Sequence, residues 1–316
     1  MSPQSSISAS SQLNHEIVWW TLTLQPERKD FCDAVVGHVV TPLAAQARMW
    51  GAERWSYTRS LDSAAPAVRV NVLASTSVVE RLQPFARALV DRSVEQLGGL
   101  ETTEQSAAPV PTRWGTEPVS AQFEFALAKY GGVEGLALAA DVCELSSDLA
   151  AWALIRFPGI NSRSSLAALL LFDSCHAMMC GPKSSAWPDR RGISWDFFWD
   201  SHLRSCTGSL GPQAARVRRE LITRLAPRIF PAHRLMAATA SEPAVQNWRR
   251  RWTRAVDGYL YRADKQRVSR SAQHLTMVQS RQLMNRLGLP LRDEAALGLY
   301  ARSWSLDREA DFLQPR

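Results

Sequence analysis

Apolar and polar positions divide this chain into two regimes. Residues 16–24, EIVWWTLTL, are dense in β-branched and aromatic side chains and predict a strand. Helical spacing follows over 28–50, bent at Pro42 and closed by Gly51. Two further extended runs, ERWSYTRS at 53–60 and AVRVNVLA at 67–74, flank a Ser/Ala/Pro turn region. Ser77, with Glu80 three residues on, reads as a capping box that opens a helix ending at Gly98-Gly99. A surface loop over 100–117, rich in Thr, Ser, Ala and Pro, leads to a short strand near 118–127. The resulting βαββαβ order predicts an α+β fold with a ferredoxin-like sheet and helices on one face.

At Gly131-Gly132 the periodicity changes to that of helices. These are expected over 133–156, 164–180, 213–225, 242–262, 268–287 and 292–304, with stops at Gly181, Pro227 and Gly288. The expected organisation is a disordered tail over 1–14 and a single domain over 15–316. Its sheet-containing part covers 15–130, its mainly helical part covers 131–316, and the two share a core. No internal repeat is evident.

Composition narrows the classes. Hydrophobic residues make up 46% and charged residues 21% of 316 residues, ordinary for a globular chain able to bury a full core. No apolar run in the sequence approaches the roughly 18 residues of a membrane helix, and MSPQSSISASSQLNHE lacks the basic start and apolar centre of a signal peptide. A cytoplasmic protein without a membrane partner is expected. The cysteines, Cys32, Cys143, Cys175, Cys180 and Cys206, are odd in number and read as reduced, mostly buried thiols. Cys175, His176, Cys180, His202 and Cys206 lack the tight spacing of a zinc site, so no metal is expected.

The net charge of +7 favours an acidic partner. Arg249-Arg250-Arg251 between Trp248 and Trp252 superficially suits a nucleic acid. However, Trp248, Trp252, Val256 and Tyr259 repeat at helical spacing, which turns the tryptophans to a core and leaves the arginines solvated. No nucleic-acid partner is expected.

Several segments in order carry a resemblance. They are the Trp-rich first strand, the Gly51, Trp55, Tyr57, Arg59 edge, the PAVRVNV strand, the Lys129-Tyr130-Gly131-Gly132 turn, WDFFWDSHLR at 195–204 and MNRLGL at 284–289. Together they resemble the C-terminal domain of lantibiotic dehydratases, which also occurs in thiopeptide-type bacteriocin biosynthesis. In the dehydratase branch that domain eliminates glutamate from glutamylated Ser or Thr, with an H-x-R-x-R strand, an E-x-x-R-Y-G-G turn and an H-M-x-x-N-R helix. This chain departs from all three motifs. It has Ala67, Arg69 and Asn71 at the first, Ala126 and Lys129 at the second, and Arg281 ahead of Asn285-Arg286 at the third.

With the family's acid and base groups lost on a retained scaffold, the chain resembles the pyridine synthases of thiopeptide pathways. The resemblance implies a formal [4+2] cycloaddition of two dehydroalanines in an azole-rich precursor peptide, followed by loss of water and of an acidic leader, with no cofactor. Such chemistry depends on positioning, which supplies about 7 to 11 kcal/mol, and on donors that polarise an amide. The candidates for the chemistry are Lys129, Tyr130, Ser280, Arg281 and Asn285; Arg281 and Asn285 lie four residues apart on one helix face. Trp55, Trp195 and Trp199 are candidate stacking walls, drawn from an unusual total of twelve tryptophans, and Arg69 and Tyr300 are candidate substrate contacts. Each of these residues has a structural reading beside the functional one, as core filler, turn anchor or solvated cation. Arg216, Arg218, Arg219 or Arg249 are the candidates to attract leader carboxylates. The alternatives are an elimination enzyme, whose base would come from His38, His176, His202, His233 or His274, and a leader-binding scaffold without turnover.

Overall fold

The structure, a computed structural model, describes residues 16–60, 65–107 and 121–313. The polar tail expected over 1–14 lies outside them. The chain divides into two compact units, Met1–Pro118 and Val119–Arg316.

The first unit is the expected βαββαβ arrangement. It contains β1 (Ile17–Pro26), a helical segment made of α1 (Cys32–Val35), a π-helical turn (Val36–Val40) and α2 (Thr41–Met49), then β2 (Arg54–Ser60), β3 (Ala67–Ser75), α3 (Thr76–Leu97) and β4 (Leu100–Ala107). The strands are antiparallel in the order β2-β3-β1-β4. Strand alternation sends one set of side chains to a single face. Register aligns Trp55, Val72 and Trp20 in one row and Tyr57, Val70 and Leu22 in the next, all nearly or fully buried. Each such side chain contributes about 1.5–3 kcal/mol on burial. Pro42 lies at the start of α2, directly after a change in helix type. The turn of backbone before it widens to a π-turn, and the Thr41 hydroxyl donates to the Val36 carbonyl at 2.9 Å.

Three local expectations are corrected here. The last strand is β4 rather than 118–127, and it occupies what the sequence presents as a loop. Its residues, LETTEQSA, are mostly exposed, so no apolar alternation marks it; it is held by its backbone ladder to β1 and by Glu104, which accepts from the Trp20 indole at 3.3 Å. The 121–130 segment is instead a helix, α4 (Ala121–Tyr130), in which Phe123, Leu127 and Tyr130 follow helical spacing and Phe125 points outward. The capping box at Ser77 and Glu80 does not form. The helix starts one residue earlier, at Thr76, whose backbone N–H and hydroxyl both donate to the Glu16 carbonyl at 2.9 and 3.1 Å.

The second unit is helical. After α4 come α5 (Val133–Arg156), α6 (Ile160–Cys180), α7 (Pro188–Arg191), α8 (Trp195–Thr207), α9 (Ala214–Leu225), α10 (Ile229–Ala240), α11 (Pro243–Lys265), α12 (Ala272–Arg286), α13 (Leu291–Arg302) and α14 (Leu306–Leu313). Periodicity over the sequence misses α7, α8, α10 and α14, of which α8 is the WDFFWDSHLR segment of the resemblance. Central α6 packs against α10, α11, α12 and α13. By length and composition, the stretch Ile160–Ala186 passes for a membrane span, but 72% of its 18-residue apolar window is buried within the protein. Its apolarity is that of a core helix surrounded by other helices.

Charged groups accompany this core. Trp252, Val256 and Tyr259 are fully buried as their spacing implies, whereas Trp248 is half-buried against Trp152. Arg249 is not solvated. Its guanidinium makes two parallel bonds of 2.8 Å to Asp173 of α6 and one of 2.7 Å to Glu309 of α14. Burial works against that charge, but the two carboxylates hold Arg249 protonated. A buried ion pair stripped of one member leaves the other uncompensated. Arg249→Met is therefore expected to lower the free energy of unfolding by about 3–5 kcal/mol, measured by urea titration. Arg249→Met combined with Asp173→Leu should recover most of the loss, and a single-variant loss below about 1 kcal/mol would instead mark the pair as effectively solvated.

Candidate functional site

The site is built around the end of α4. Gly131 and Gly132 have φ of 80° and 108°, and both of their N–H groups donate to the Leu127 carbonyl at 2.9 Å. The α4 carbonyls left without helical partners are taken up by the segment joining α11 to α12. Arg270 Nε donates to Ala128 O at 2.7 Å, His274 Nε2 lies 2.9 Å from Lys129 O, and the Ser269 hydroxyl donates to Gly131 O at 3.2 Å. A Cβ on Gly131 would come within 2.9 Å of the Arg270 and Val268 side chains, so the turn is held in contact with this segment. At its other end the same segment caps α12, where the Ser271 hydroxyl accepts from His274 N.

This anchoring brings Lys129 and Tyr130 to the buried face of α12. Tyr130 Oη lies 4.0 Å from the Cys143 thiol of α5, which in turn lies 4.0 Å from Gln279 Oε1. Gln279, Ser280, Arg286 and Tyr259 are all buried around them. The Gln279 amide donates to the Tyr259 phenol, whereas among the described residues the Ser280 hydroxyl has no hydrogen-bond partner. Burial pushes the Lys129 amine below the ordinary lysine range, and the Arg286 and Arg281 charges push it the same way. Burial raises the Tyr130 and Tyr259 phenols and keeps them protonated donors.

One residue beyond Ser280, Arg281 is the bridge to a second group of residues. Its Nη2 donates to the Cys206 thiol at 3.3 Å, and its Nε lies 3.5 Å from Glu294 Oε1 on α13. His202 Nε2 lies 3.2 Å from the same carboxylate oxygen. Despite burial, the hydrogen bond from His202 and the nearby charges hold the Glu294 carboxyl below the usual range, whereas burial and Glu294 push the Cys206 thiol up. His202, Cys206 and Glu294 stand close enough together to share a metal ion. The Arg281 guanidinium already occupies that sulfur and that carboxylate and would repel a dication, so the residues fit a charge network rather than a metal centre.

His202 is reached along an aromatic column on α8. Phe172 meets Trp195 at 5.8 Å, Trp195 meets Trp199 at 5.6 Å and Trp199 meets His202 at 5.5 Å, all edge to face. Trp195 is half-buried and donates to Arg302 O at 2.9 Å, whereas Trp199 is 2% exposed. Gly298 makes room for the column, since a Cβ there would fall 2.6 Å from the His202 ring.

The expected site residues therefore separate by place. Lys129, Tyr130, Ser280 and Arg281 lie at the α4–α12 junction, with half-buried Asn285 one turn beyond Arg281. Trp199 packs as an interior residue and has no open stacking face. Tyr300 is half-buried against the cluster of Leu203, Cys206, Leu221 and Leu225, and its backbone carbonyl meets His233 Nε2 at 3.0 Å. In the sheet unit, Trp55 is 2% exposed, stacked on Tyr57, and so is core rather than wall; Arg69 is exposed on the opposite face of β3, with Ala67 and Asn71 on its side. Of the arginines set aside for a leader, Arg249 is tied to two carboxylates and Arg216 pairs with Glu220, while Arg218 donates to Thr207 and Arg219 is exposed. Glu294, Cys143 and Gln279 are additions to the site. Only the helical phase of Gln279 beside Ser280 gives any hint of them in the sequence.

The family model described as "Lantibiotic biosynthesis dehydratase C-term" matches residues 19–304, and the chain belongs to that family. No curated protein sequence matches it. Among solved structures, it is similar to the tRNA-dependent lantibiotic dehydratase MibB from Microbispora sp. 107891, with 19% identity and a TM-score of 0.52. The likeness covers 96% of this chain and 28% of the dehydratase, so the chain spans under a third of that enzyme's length. It is also similar to TbtD, the pyridine synthase from thiomuracin biosynthesis, with 18% identity, a TM-score of 0.56 and coverage of 93% of this chain and 98% of that one. A third similar structure is TsrL, with 16% identity, a TM-score of 0.59 and coverage of 95% and 99%. At these identities the likenesses establish a shared fold.

Glu294 gives the site a measurable acid sensitivity. Its folded-state pKa is depressed, so its stabilising contribution is present above the ordinary glutamate value and is lost as pH falls through that value toward the lowered one. Unfolding free energies from about pH 7 to about pH 3 should therefore fall less steeply in Glu294→Gln than in the parent protein. Parallel curves would show that Glu294 gains nothing from His202 and Arg281.

Proposed function

We propose that the protein is a pyridine synthase, acting in the cytoplasm on a ribosomally made precursor peptide that carries azoles, two dehydroalanines and an acidic leader. The carrying observation is the cluster of donors at the α4–α12 junction. Ser280 Oγ is buried on α12 without a partner, between Gln279, which meets the Cys143 thiol beside Tyr130, and Arg281, whose charge acts on Lys129. Buried donors left unsatisfied in the free protein favour a ligand whose acceptors satisfy them. An amide carbonyl is such an acceptor.

In this reading Arg281 and Ser280 polarise the carbonyl oxygen of the residue preceding the downstream dehydroalanine, and Lys129 or Tyr130 moves the proton that creates the imidic acid form. The resulting 2-azadiene adds to the upstream dehydroalanine, which is the second residue of the pair to react and carries the leader on its nitrogen. Two C–C bonds form, one from the terminal CH₂ of the diene and one from its imidic carbon. The imidic C–O bond then breaks to release water. The Cα–N bond of the second residue breaks to release the leader as a carboxamide. The sequence is redox-neutral, so no cofactor is required for balance. The family's elimination chemistry is disfavoured by Ala67, Asn71, Ala126 and Arg281 at its motif positions. One observation favours it as a second reading: the His202–Glu294 pair beside Arg281 is an acid/base couple.

Mass spectrometry of a purified reaction separates the two readings. A linear azole peptide with two dehydroalanines should lose water and an intact leader, whereas conversion of only a glutamylated peptide would replace this proposal with elimination. Arg281→Ala and Lys129→Met should each lower kcat by about a hundredfold or more, the range for lost acid/base or oxyanion groups, with leader affinity unchanged. If the Lys129 ammonium is the donor, the rate should fall on the alkaline side at a pH below the ordinary lysine value of 10.5, because its pKa is lowered. That limb should vanish in Lys129→Met.

A further inference from the structure

A pocket of about 670 Å³ opens along α11 over the Arg249–Asp173–Glu309 cluster, apart from the residues of the candidate site. Its buried wall is carried by Asp173, Asp257 and Arg249, with Glu309 beside them; its exposed wall is carried by Lys183, Arg250 and Arg254. The volume is that of a small-ligand or peptide side-chain site.

The carboxylates of this pocket are already committed. Asp173 takes both parallel bonds of Arg249. Glu309 accepts from Arg249 and from the Trp304 indole at 3.1 Å. Asp257 pairs with Arg191 at 3.0 Å and accepts the Lys183 backbone N–H at 3.2 Å. The exposed cations are therefore left over. Among the described residues neither Arg250 nor Arg254 has an ion pair, and Lys183 Nζ only rests over the Tyr261 ring at 5.2 Å. Arg250 and Arg254 stand one helical turn apart, an arrangement of like charges that weakens a helix. A ligand bearing carboxylates at the same spacing would relieve it.

We propose that this pocket binds the carboxylates of an acidic, helical peptide segment, with acidic residues four apart meeting Arg250 and Arg254 and a third carboxylate meeting Lys183. The proposal rests on the reading of the substrate as a peptide with an acidic leader, and it gives that leader a place. The attraction is that of exposed charges, so it weakens as salt shortens the screening length.

Fluorescence anisotropy with the full-length protein tests this. The probe is a fluorescein-labelled helical peptide carrying Glu pairs four residues apart, compared with the same peptide carrying Gln. The parent protein should bind the Glu peptide at least tenfold more tightly than the Gln peptide, and less tightly as sodium chloride is raised. Arg250→Ala combined with Arg254→Ala should lose at least tenfold in affinity, whereas Arg216→Ala combined with Arg219→Ala should not. Arg250→Glu with Arg254→Glu should reverse the preference and bind a Lys version of the peptide. Equal affinity of the parent and the Arg250/Arg254 variants for the Glu peptide would overturn the proposal. So would displacement of the probe by inorganic phosphate or bulk transfer RNA at concentrations where unlabelled Glu peptide has no effect. Because the readout is binding, absence of cyclisation with a dehydroalanine peptide would remove the synthase reading and leave this site standing, while active cyclisation with unchanged leader affinity in the variants would do the reverse.

Discussion

Hydrogen bonding at the end of α4 is the constraint on which the helical unit's chemistry rests. A helix leaves its last carbonyls without partners, and here Ala128 O and Lys129 O are met by Arg270 of the connection before α12 and by His274 of its first turn, with Ser269 on Gly131 O just beyond. The segment also caps α12, so the end of one helix and the start of another are fixed together. This fixes Tyr130 beside Cys143, which in turn meets Gln279 of α12. Without that anchoring, a lysine and a tyrosine at the end of an amphipathic helix would have no reason to be buried.

Buried charge is the second organising feature. Arg249 with Asp173 and Glu309, and Arg191 with Asp257 and Asp264, tie α6, α7, α11 and α14 through groups that are costly to bury alone. The Arg281, His202 and Glu294 group differs in being partly open, since the Arg281 side chain is 35% exposed. A cation braced from behind by a buried carboxylate and still reachable in front can orient a polar substrate atom with little rearrangement.

The fold was largely legible in the sequence because its signals are local. The period-two placing of Trp20, Leu22 and Leu24, and of Val68, Val70 and Val72, with Thr21, Thr23, Arg69 and Asn71 between them, specifies both the strands and their buried face. β4 was not legible because an edge strand held by backbone bonds needs no apolar code, and α4 was obscured by Phe123 and Phe125, which imitate a strand. At the site, Arg281 and Ser280 could be found from the helix motif that carries them. Glu294 and Cys206 could not, since each acquires meaning only from a partner far along the chain. The same holds for Arg249, which sits in a basic run yet belongs to the interior.

Asp173 has a consequence for the chain during synthesis. It lies within the apolar α6, and its partner Arg249 follows 76 residues later. Until that arginine emerges from the ribosome, α6 is a greasy helix with an unneutralised carboxylate. An aspartate at mid-helix opposes insertion into a bilayer by about 2.5–3.5 kcal/mol. The residue that later cements two helices thus first marks this segment as one to be kept out of lipid.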